Sequence, residues 1–207
     1  MLVRQIKYPI NEIFRSIQGE GFYTGRVAVF IRFAGCNKSC SFCDTDHTTK
    51  LNLTPSEIIE HMTDAGWKED DLIVLTGGEP TIHNLKPVCQ KLIDTFAGVE
   101  IAIETNGTNP KTLQRLKTAQ LLDWITISPK HIKDASAIWR SVADEIKVVL
   151  DPHNPPARYI PFIDNLFDEH CCFIQPCSQD YAPALKYVLE HPQWRLSVQT
   201  QKIIDVL

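Results

Sequence analysis

The chain has 207 residues, enough to bury one good hydrophobic core and close to the size at which a single domain, here residues 1–207, is the default. Its 43% hydrophobic and 22% charged content and net charge of -4 are ordinary for a soluble globular protein, and they supply no basic excess for nucleic acid or anionic lipid. Charges and Pro9 interrupt the start where a signal peptide is apolar, and no later run reaches membrane-span length, so the chain reads as cytoplasmic with a small polar substrate.

Apolar, β-branched runs recur roughly every 25 residues, a rhythm of strands alternating with helices rather than of hairpins. The first predicted strand is Val27–Phe33. A helix follows from Thr54, which can cap, with Pro55 suited to the first helical position and Glu57 completing a capping box. Then come strand Leu72–Leu75, helix Asn84–Phe96, strand Val99–Glu104, helix Pro110–Lys117 and strands Trp124–Ile127 and Ile146–Leu150. The Pro-rich run Asp151–Pro156 is a loop, followed by helix Pro161–Asp168, strand Cys172–Gln175, helix Ala182–His191 and strand Arg195–Val198. Several strands are apolar at consecutive positions, as in a parallel sheet covered on both faces. The class is α/β, and because a complete eightfold barrel needs about 250 residues, a trimmed or open β/α barrel is expected. Functional residues then belong at the C-terminal ends of the strands.

Three of the seven cysteines stand at such an end: strand Val27–Phe33 runs into Gly35-Cys36-Asn37-Lys38-Ser39-Cys40-Ser41-Phe42-Cys43-Asp44-Thr45. A C-x3-C-x2-C loop can bind three corners of a cubane iron–sulfur cluster, leaving one iron open to an exogenous group. The competing reading is a structural zinc site completed by His47, but such sites pair two ligands with a second, distant pair, and no second C-x2-C exists. Other strand ends carry Thr76-Gly77-Gly78-Glu79-Pro80, Glu104-Thr105-Asn106-Gly107, Ser128-Pro129-Lys130 and Gln175-Pro176-Cys177-Ser178. Each alone is also compatible with a capped turn. Cys89, Cys171 and Cys172 read as core residues, and His61, His153, His170 and His191 show no ligand spacing.

The cysteine loop with Phe42, together with the Gly-Gly-Glu-Pro segment, resembles the radical S-adenosylmethionine superfamily, in which the open iron is chelated by the methionine moiety of the cofactor. Gln18-Gly19-Glu20-Gly21 with Gly25, Arg32, Cys43-Asp44-Thr45, Glu-Thr-Asn-Gly, Ser-Pro-Lys and Gln-Pro-x-Ser, in this order, narrow the resemblance to the family of 7-carboxy-7-deazaguanine synthases over nearly the whole chain. The resemblance implies a partial barrel of the radical S-adenosylmethionine type, a homodimer, and radical ring contraction of 6-carboxy-5,6,7,8-tetrahydropterin to 7-carboxy-7-deazaguanine with loss of ammonia, on the route to queuosine. It further implies a [4Fe-4S] cluster, S-adenosylmethionine, Mg2+ and an electron donor such as a flavodoxin or ferredoxin. By position, Cys36, Cys40 and Cys43 match the cluster ligands and Thr45 the magnesium ligand. Ile17, Gln18, Gly19, Glu20, Arg32 and Thr76 match pterin positions, with Arg32 suited to a substrate carboxylate. Phe42, Cys43, Asp44, Gly78, Glu79, Glu104, Ser128, Pro129, Lys130, Gln175, Pro176, Cys177 and Ser178 match positions around S-adenosylmethionine. Gln201 stands before Lys202 where the family often carries His. The alternatives are an activase that installs a glycyl radical on a partner protein, disfavoured by the Gln-Gly-Glu-Gly segment with Arg32, and a zinc-stabilised, non-catalytic binding module.

Overall fold

Consecutive apolar runs become the strands of one sheet in a computed structural model that describes residues 5–151, 154–177 and 180–206. The strands are β1 (Tyr8–Ile17), β2 (Val27–Phe33), β3 (Leu51–Leu53), β4 (Leu72–Gly77), β5 (Ile101–Thr105), β6 (Trp124–Ile127), β7 (Glu145–Leu150), β8 (Cys172–Pro176) and β9 (Arg195–Leu196). Their order is β3-β1-β2-β4-β5-β6-β7-β8-β9, so the sheet is open, with β3 and β9 at its edges. From β2 through β9 every neighbouring pair is parallel. The expected partial, mostly parallel β/α architecture is what forms, as an open sheet.

The alternating rhythm fails in the first third of the chain. β1 pairs antiparallel with both β2 and β3, and neither β1 nor β3 was expected as a strand. β1 carries Glu12 and Arg15 among its apolar residues, and a register irregularity between Ile10 and Glu12 disrupts its alternation. Its charges are answered from neighbouring segments: Arg15 Nε and Nη2 hold Asp71 at 2.7 and 3.0 Å, and Glu12 accepts from Arg32 Nε at 2.7 Å.

The helices are α1 (Pro55–Asp64), α2 (Lys86–Thr95), α3 (Pro110–Thr118), α4 (Trp139–Val142), α5 (Ile160–Ile163), α6 (Ala182–Glu190) and α7 (Thr200–Ile203). The capping box at Thr54 is present: the Glu57 amide donates to Thr54 Oγ1 at 3.3 Å, and Glu57 Oε2 accepts from the Thr54 amide at 2.7 Å. The helix expected over Pro161–Asp168 breaks into α5 and a 3-10 turn at Asp164–Leu166, and the last strand ends at Leu196 rather than Val198. In the expected loop Asp151–Pro156, Pro152 and His153 lie outside the described residues, and Pro156 opens a 3-10 turn. Among the described residues no helix is long and apolar enough to cross a membrane.

Side chains alternate between the two faces of the sheet. On β4, Ile73 and Leu75 join the large core between sheet and helices, whereas Leu72 and Val74 join a small inner cluster with Ala28 and Ala102. Phe30, Tyr23 and Trp124 pack against that inner cluster, and Phe22 stacks on Trp124 with ring centroids 4.6 Å apart. Apolar side chains thus fill the inner face near the strand starts. Polar residues take over toward the C-terminal ends, where Arg32 lies beside Thr76, Glu104 beside Thr126 and Val149 beside Gln175.

Candidate active site

A cavity of about 940 Å³ opens over those strand ends. Of the residues matched to functional positions in the sequence, Cys36, Cys40, Cys43, Phe42, Asp44, Thr45, Ile17, Gln18, Gly19, Glu20, Arg32, Thr76, Gly78, Glu104, Ser128, Lys130, Gln175, Pro176 and Cys177 all line it. Glu79 and Pro129 do not, and Ser178 lies outside the described residues.

The cysteine loop is pinned from three sides. The Gly35 amide donates to His47 O at 2.8 Å, Asn37 reaches Thr108 and Asn106 at 2.8 Å each, and Lys38 Nζ pairs with Asp134 at 2.6 Å. The fourth contact explains the paired glycines. The Gly78 amide donates to Phe33 O at 3.1 Å and the Glu79 amide to Gly35 O at 2.9 Å. A Cβ on Gly78 would collide with the Gly35 carbonyl and with Cys36 Cβ, so only glycine lets this turn lie against the loop.

The donor set suits a cluster. Cys36 and Cys40 are half-buried and Cys43 is exposed. The Lys38 amide approaches Cys36 Sγ at 3.4 Å, the type of N–H contact that steadies a ligating sulfur. Burial, reinforced by the neighbouring thiols Cys43 and Cys36, pushes the Cys40 thiol up, which a bound cation reverses. Among the described residues no three His, Cys, Asp or Glu side chains are grouped to hold a single metal ion. In a cubane the three thiolates would each ligate a different iron, so they need not converge on one point.

Glu79 is fully buried and its carboxyl group faces protein. Oε1 accepts from the Thr81 amide at 3.0 Å, Thr81 Oγ1 at 2.5 Å and Thr105 Oγ1 at 2.6 Å, while Oε2 accepts from the Asn106 amide at 2.7 Å. It therefore ties the glycine turn after β4 to the turn after β5. Pro129 likewise serves through its carbonyl, which accepts from Asn154 Nδ2 at 3.2 Å.

One residue that motif reading missed stands at the cavity wall. Lys147 on β7 is 4% exposed, and its ammonium donates to Glu20 Oε2 at 2.7 Å and to Glu104 Oε2 at 3.0 Å. Glu20 Oε1 accepts from Gln199 at 2.8 Å and Gln201 at 3.2 Å, and Glu104 Oε1 accepts from Gln18 at 3.2 Å. Burial alone would raise the Glu20 carboxyl, but Lys147 and the two glutamines overcome it and hold the group down at about 2. Burial raises Glu104, and it lowers Lys147 less than Glu104, Glu20 and Glu145 raise it. The available signal was a lysine flanked by Ile146 and Val148 in a strand that is apolar from there to its C-terminal end.

The segment after β9 closes one side of the cavity. The Thr200 amide donates to Gly19 O at 2.9 Å, and Lys202 pairs with Asp44 of the cysteine loop. Gln201, at the position where the resembled family often has His, therefore belongs to the cavity wall and holds Glu20.

A family profile described as the radical SAM superfamily matches residues 30–170. The chain is 42% identical over 200 residues to a 7-carboxy-7-deazaguanine synthase from Bacteroides thetaiotaomicron, covering 95% of this chain and 97% of the relative. A 7-carboxy-7-deazaguanine synthase from Synechocystis sp. is 35% identical over 208 residues, covering 97% of this chain and 94% of the relative. Among solved structures, QueE from Escherichia coli superposes with a TM-score of 0.67 at 28% identity, covering 94% of each chain.

Proposed function

The chain belongs to the 7-carboxy-7-deazaguanine synthase family of the radical S-adenosylmethionine superfamily, and from that premise we propose that its cavity converts 6-carboxy-5,6,7,8-tetrahydropterin to 7-carboxy-7-deazaguanine with release of ammonia. The observation that carries the reading is convergence: residues from opposite ends of the chain, matched to cluster, cofactor and pterin positions, line one cavity. The whole chain is read as one catalytic domain, which the single continuous sheet supports.

When bound, a [4Fe-4S] cluster and S-adenosylmethionine supply a 5′-deoxyadenosyl radical for hydrogen abstraction. The side chains of this protein bind, orient and exclude water. Cys36, Cys40 and Cys43 would hold the cluster. Phe42, Asp44, Gly78, Glu104, Ser128, Lys130 and Gln175 to Cys177 would surround the cofactor, with Glu79 acting behind them by fixing the Gly78 turn. Ile17, Gln18, Gly19, Glu20, Arg32 and Thr76 would hold the pterin. The 2-amino-pyrimidinone edge of a pterin offers N–H donors, which suit a carboxylate such as Glu20.

Arg32 lines the cavity, gives its Nε to Glu12 and lies over the Phe14 ring, and among the described residues its terminal guanidinium nitrogens make no hydrogen bond. They suit the substrate carboxylate. Replacing Arg32 by Ala is expected to raise the substrate KM by about tenfold to a hundredfold with the cluster intact, since a charge-assisted contact is lost. Steady-state kinetics with parallel iron and sulfide assays check this, and an unchanged KM removes Arg32 from substrate binding.

Thr45, adjacent to Asp44 and Asp46 on the cavity lining, is assigned to Mg2+ together with the substrate carboxylate and water. Thr45→Ala is expected to weaken the stimulation of turnover by magnesium several-fold while the cluster survives. A magnesium titration identical to that of the parent protein places the ion elsewhere. We further assign a homodimer, for which exposed Leu189, Ile203 and Ile204 offer apolar surface, and a one-electron donor of the flavodoxin or ferredoxin type.

The deciding experiment is an anaerobic incubation of reconstituted protein with a reductant, S-adenosylmethionine and 6-carboxytetrahydropterin. The expected product is 7-carboxy-7-deazaguanine, identified by mass and ultraviolet spectrum. A cluster-loaded protein that cleaves S-adenosylmethionine yet leaves the pterin unchanged overturns the substrate assignment.

A further inference from the structure

The inner face of β7 carries charge deep in the fold. Glu145 and Lys147 sit two residues apart on the strand and are 2% and 4% exposed. Glu145 answers the Phe22 amide at 3.1 Å and Trp124 Nε1 at 3.3 Å and does not line the cavity. Lys147 does line it, and its one ammonium bridges two carboxylates that come from different parts of the chain and serve different halves of the cavity. Glu20 stands on the segment assigned to the pterin, and Glu104 at the end of β5 on the segment assigned to the cofactor.

We propose that Lys147 is a positioning residue shared by the two ligand-binding halves of the cavity, holding Glu20 and Glu104 as a pair of oriented carboxylate acceptors. This inference rests on the function proposed above. A lone buried ammonium between two carboxylates fixes both, and removal of the cation leaves two carboxyl groups facing each other in a poorly hydrated wall. The remaining charges around the trio do not substitute for it. Glu145 adds to the negative side, Asp44 is already paired with Lys202, and Lys130, which donates to Ser128 Oγ at 2.8 Å, acts on Glu104 through space and more weakly than Lys147. Gln199, Gln201 and Gln18 would still donate hydrogen bonds but bring no charge.

The consequence is a specific pH behaviour. In the parent protein Lys147 keeps Glu20 ionised far below neutral pH, so acceptor strength at the pterin half is constant across the working range. Without the cation, burial and the facing carboxylate both act upward, and one of the two groups takes a proton near neutral pH. An N–H donor of the pterin then meets a carboxylic acid, and binding weakens as pH falls.

The test is anaerobic calorimetric titration of 6-carboxytetrahydropterin, and separately of S-adenosylmethionine, into cluster-loaded parent and Lys147→Met proteins from about pH 6 to about pH 9. The expected result is that both ligands bind at least about tenfold more weakly to the variant near neutral pH. For the pterin the loss should shrink toward alkaline pH, whereas the parent affinity changes little. Iron and sulfide content should match the parent. A Kd for either ligand equal to that of the parent, or a pterin loss that is the same at every pH, overturns the proposal, because a merely structural lysine does not create a new titration. Should Lys147→Met fail to load its cluster, Lys147→Gln, which keeps a donor without charge, carries the same titration. Failure of both variants to accumulate as loaded protein assigns Lys147 to the fold and also overturns the proposal. If the parent protein itself binds no pterin, it is the assigned substrate that falls, an outcome distinct from a parent that binds and a variant that binds equally well.

Discussion

Replacement of Cys40 by Ala is expected to abolish the cluster and, with it, all cleavage of S-adenosylmethionine. Cys36 and Cys43 alone would hold two corners, and the loop that presents them is fixed by Asn37, Lys38 and the Gly78 turn, so it cannot readily recruit a substitute. Cys177 is the other cysteine on the cavity lining, but it follows β8 rather than belonging to the loop. The measurement is iron, labile sulfide and 5′-deoxyadenosine formation after anaerobic reconstitution, with Cys177→Ala alongside. Cys40→Ala should show loss of all three readouts to background, and Cys177→Ala should load its cluster. Full iron and sulfide in Cys40→Ala, or preserved cleavage, removes Cys40 from the ligand set.

Glu79→Ala is expected to have the largest effect on stability among residues near the site, about 3–5 kcal/mol. Four donors point at its carboxyl group, two of them on Thr81 and one each on Thr105 and Asn106, and alanine would leave them buried without an acceptor. The loss would fall on two turns at once, so the Gly78 backbone and the Asn106 contact to the cysteine loop should loosen together. Glu79→Gln is the informative companion. It can keep one acceptor oxygen for three of the donors but sets an amide N–H against the Asn106 N–H, so an intermediate loss is expected. Denaturant unfolding of the loaded proteins under anaerobic conditions gives the comparison. A change below about 1 kcal/mol for Glu79→Ala would mean that the buried donors find other partners.

The parallel strands were legible because both of their faces are covered, and the consecutive apolar residues of Leu72–Leu75 or Ile101–Ile103 declare that burial directly. β1 was not, since Arg15 and Glu12 break its apolar pattern and their partners, Asp71 and Arg32, lie 56 and 20 residues away. Helices α4 and α7, four residues each, are too short to show a period. The motif residues were legible as a set, because each lies at a strand end and their order along the chain is distinctive. Their individual duties were less so: Glu79 belongs to a recognisable motif yet spends both oxygens on the protein, and Lys147 belongs to no motif yet touches the cavity. Side-chain direction, which separates these two cases, is decided by packing between elements far apart in sequence.

The contacts of Glu20 with Gln199 and Gln201 span 179 and 181 positions. Closing so long a loop costs more chain entropy than forming the local turns or pairing neighbouring strands. The contacts that pin Gly35, Asn37 and Lys38, by contrast, all fall between Gly35 and Asp134, and only the Asp44 end of the cysteine loop reaches the C-terminal segment, through Lys202. The part of the cavity wall around Cys36 and Cys40 is thus built from the first two thirds of the chain, whereas its pterin side is completed only by the last few residues, so a C-terminal truncation before Gln199 would open the pterin side while leaving the contacts of Asn37 and Lys38 in place.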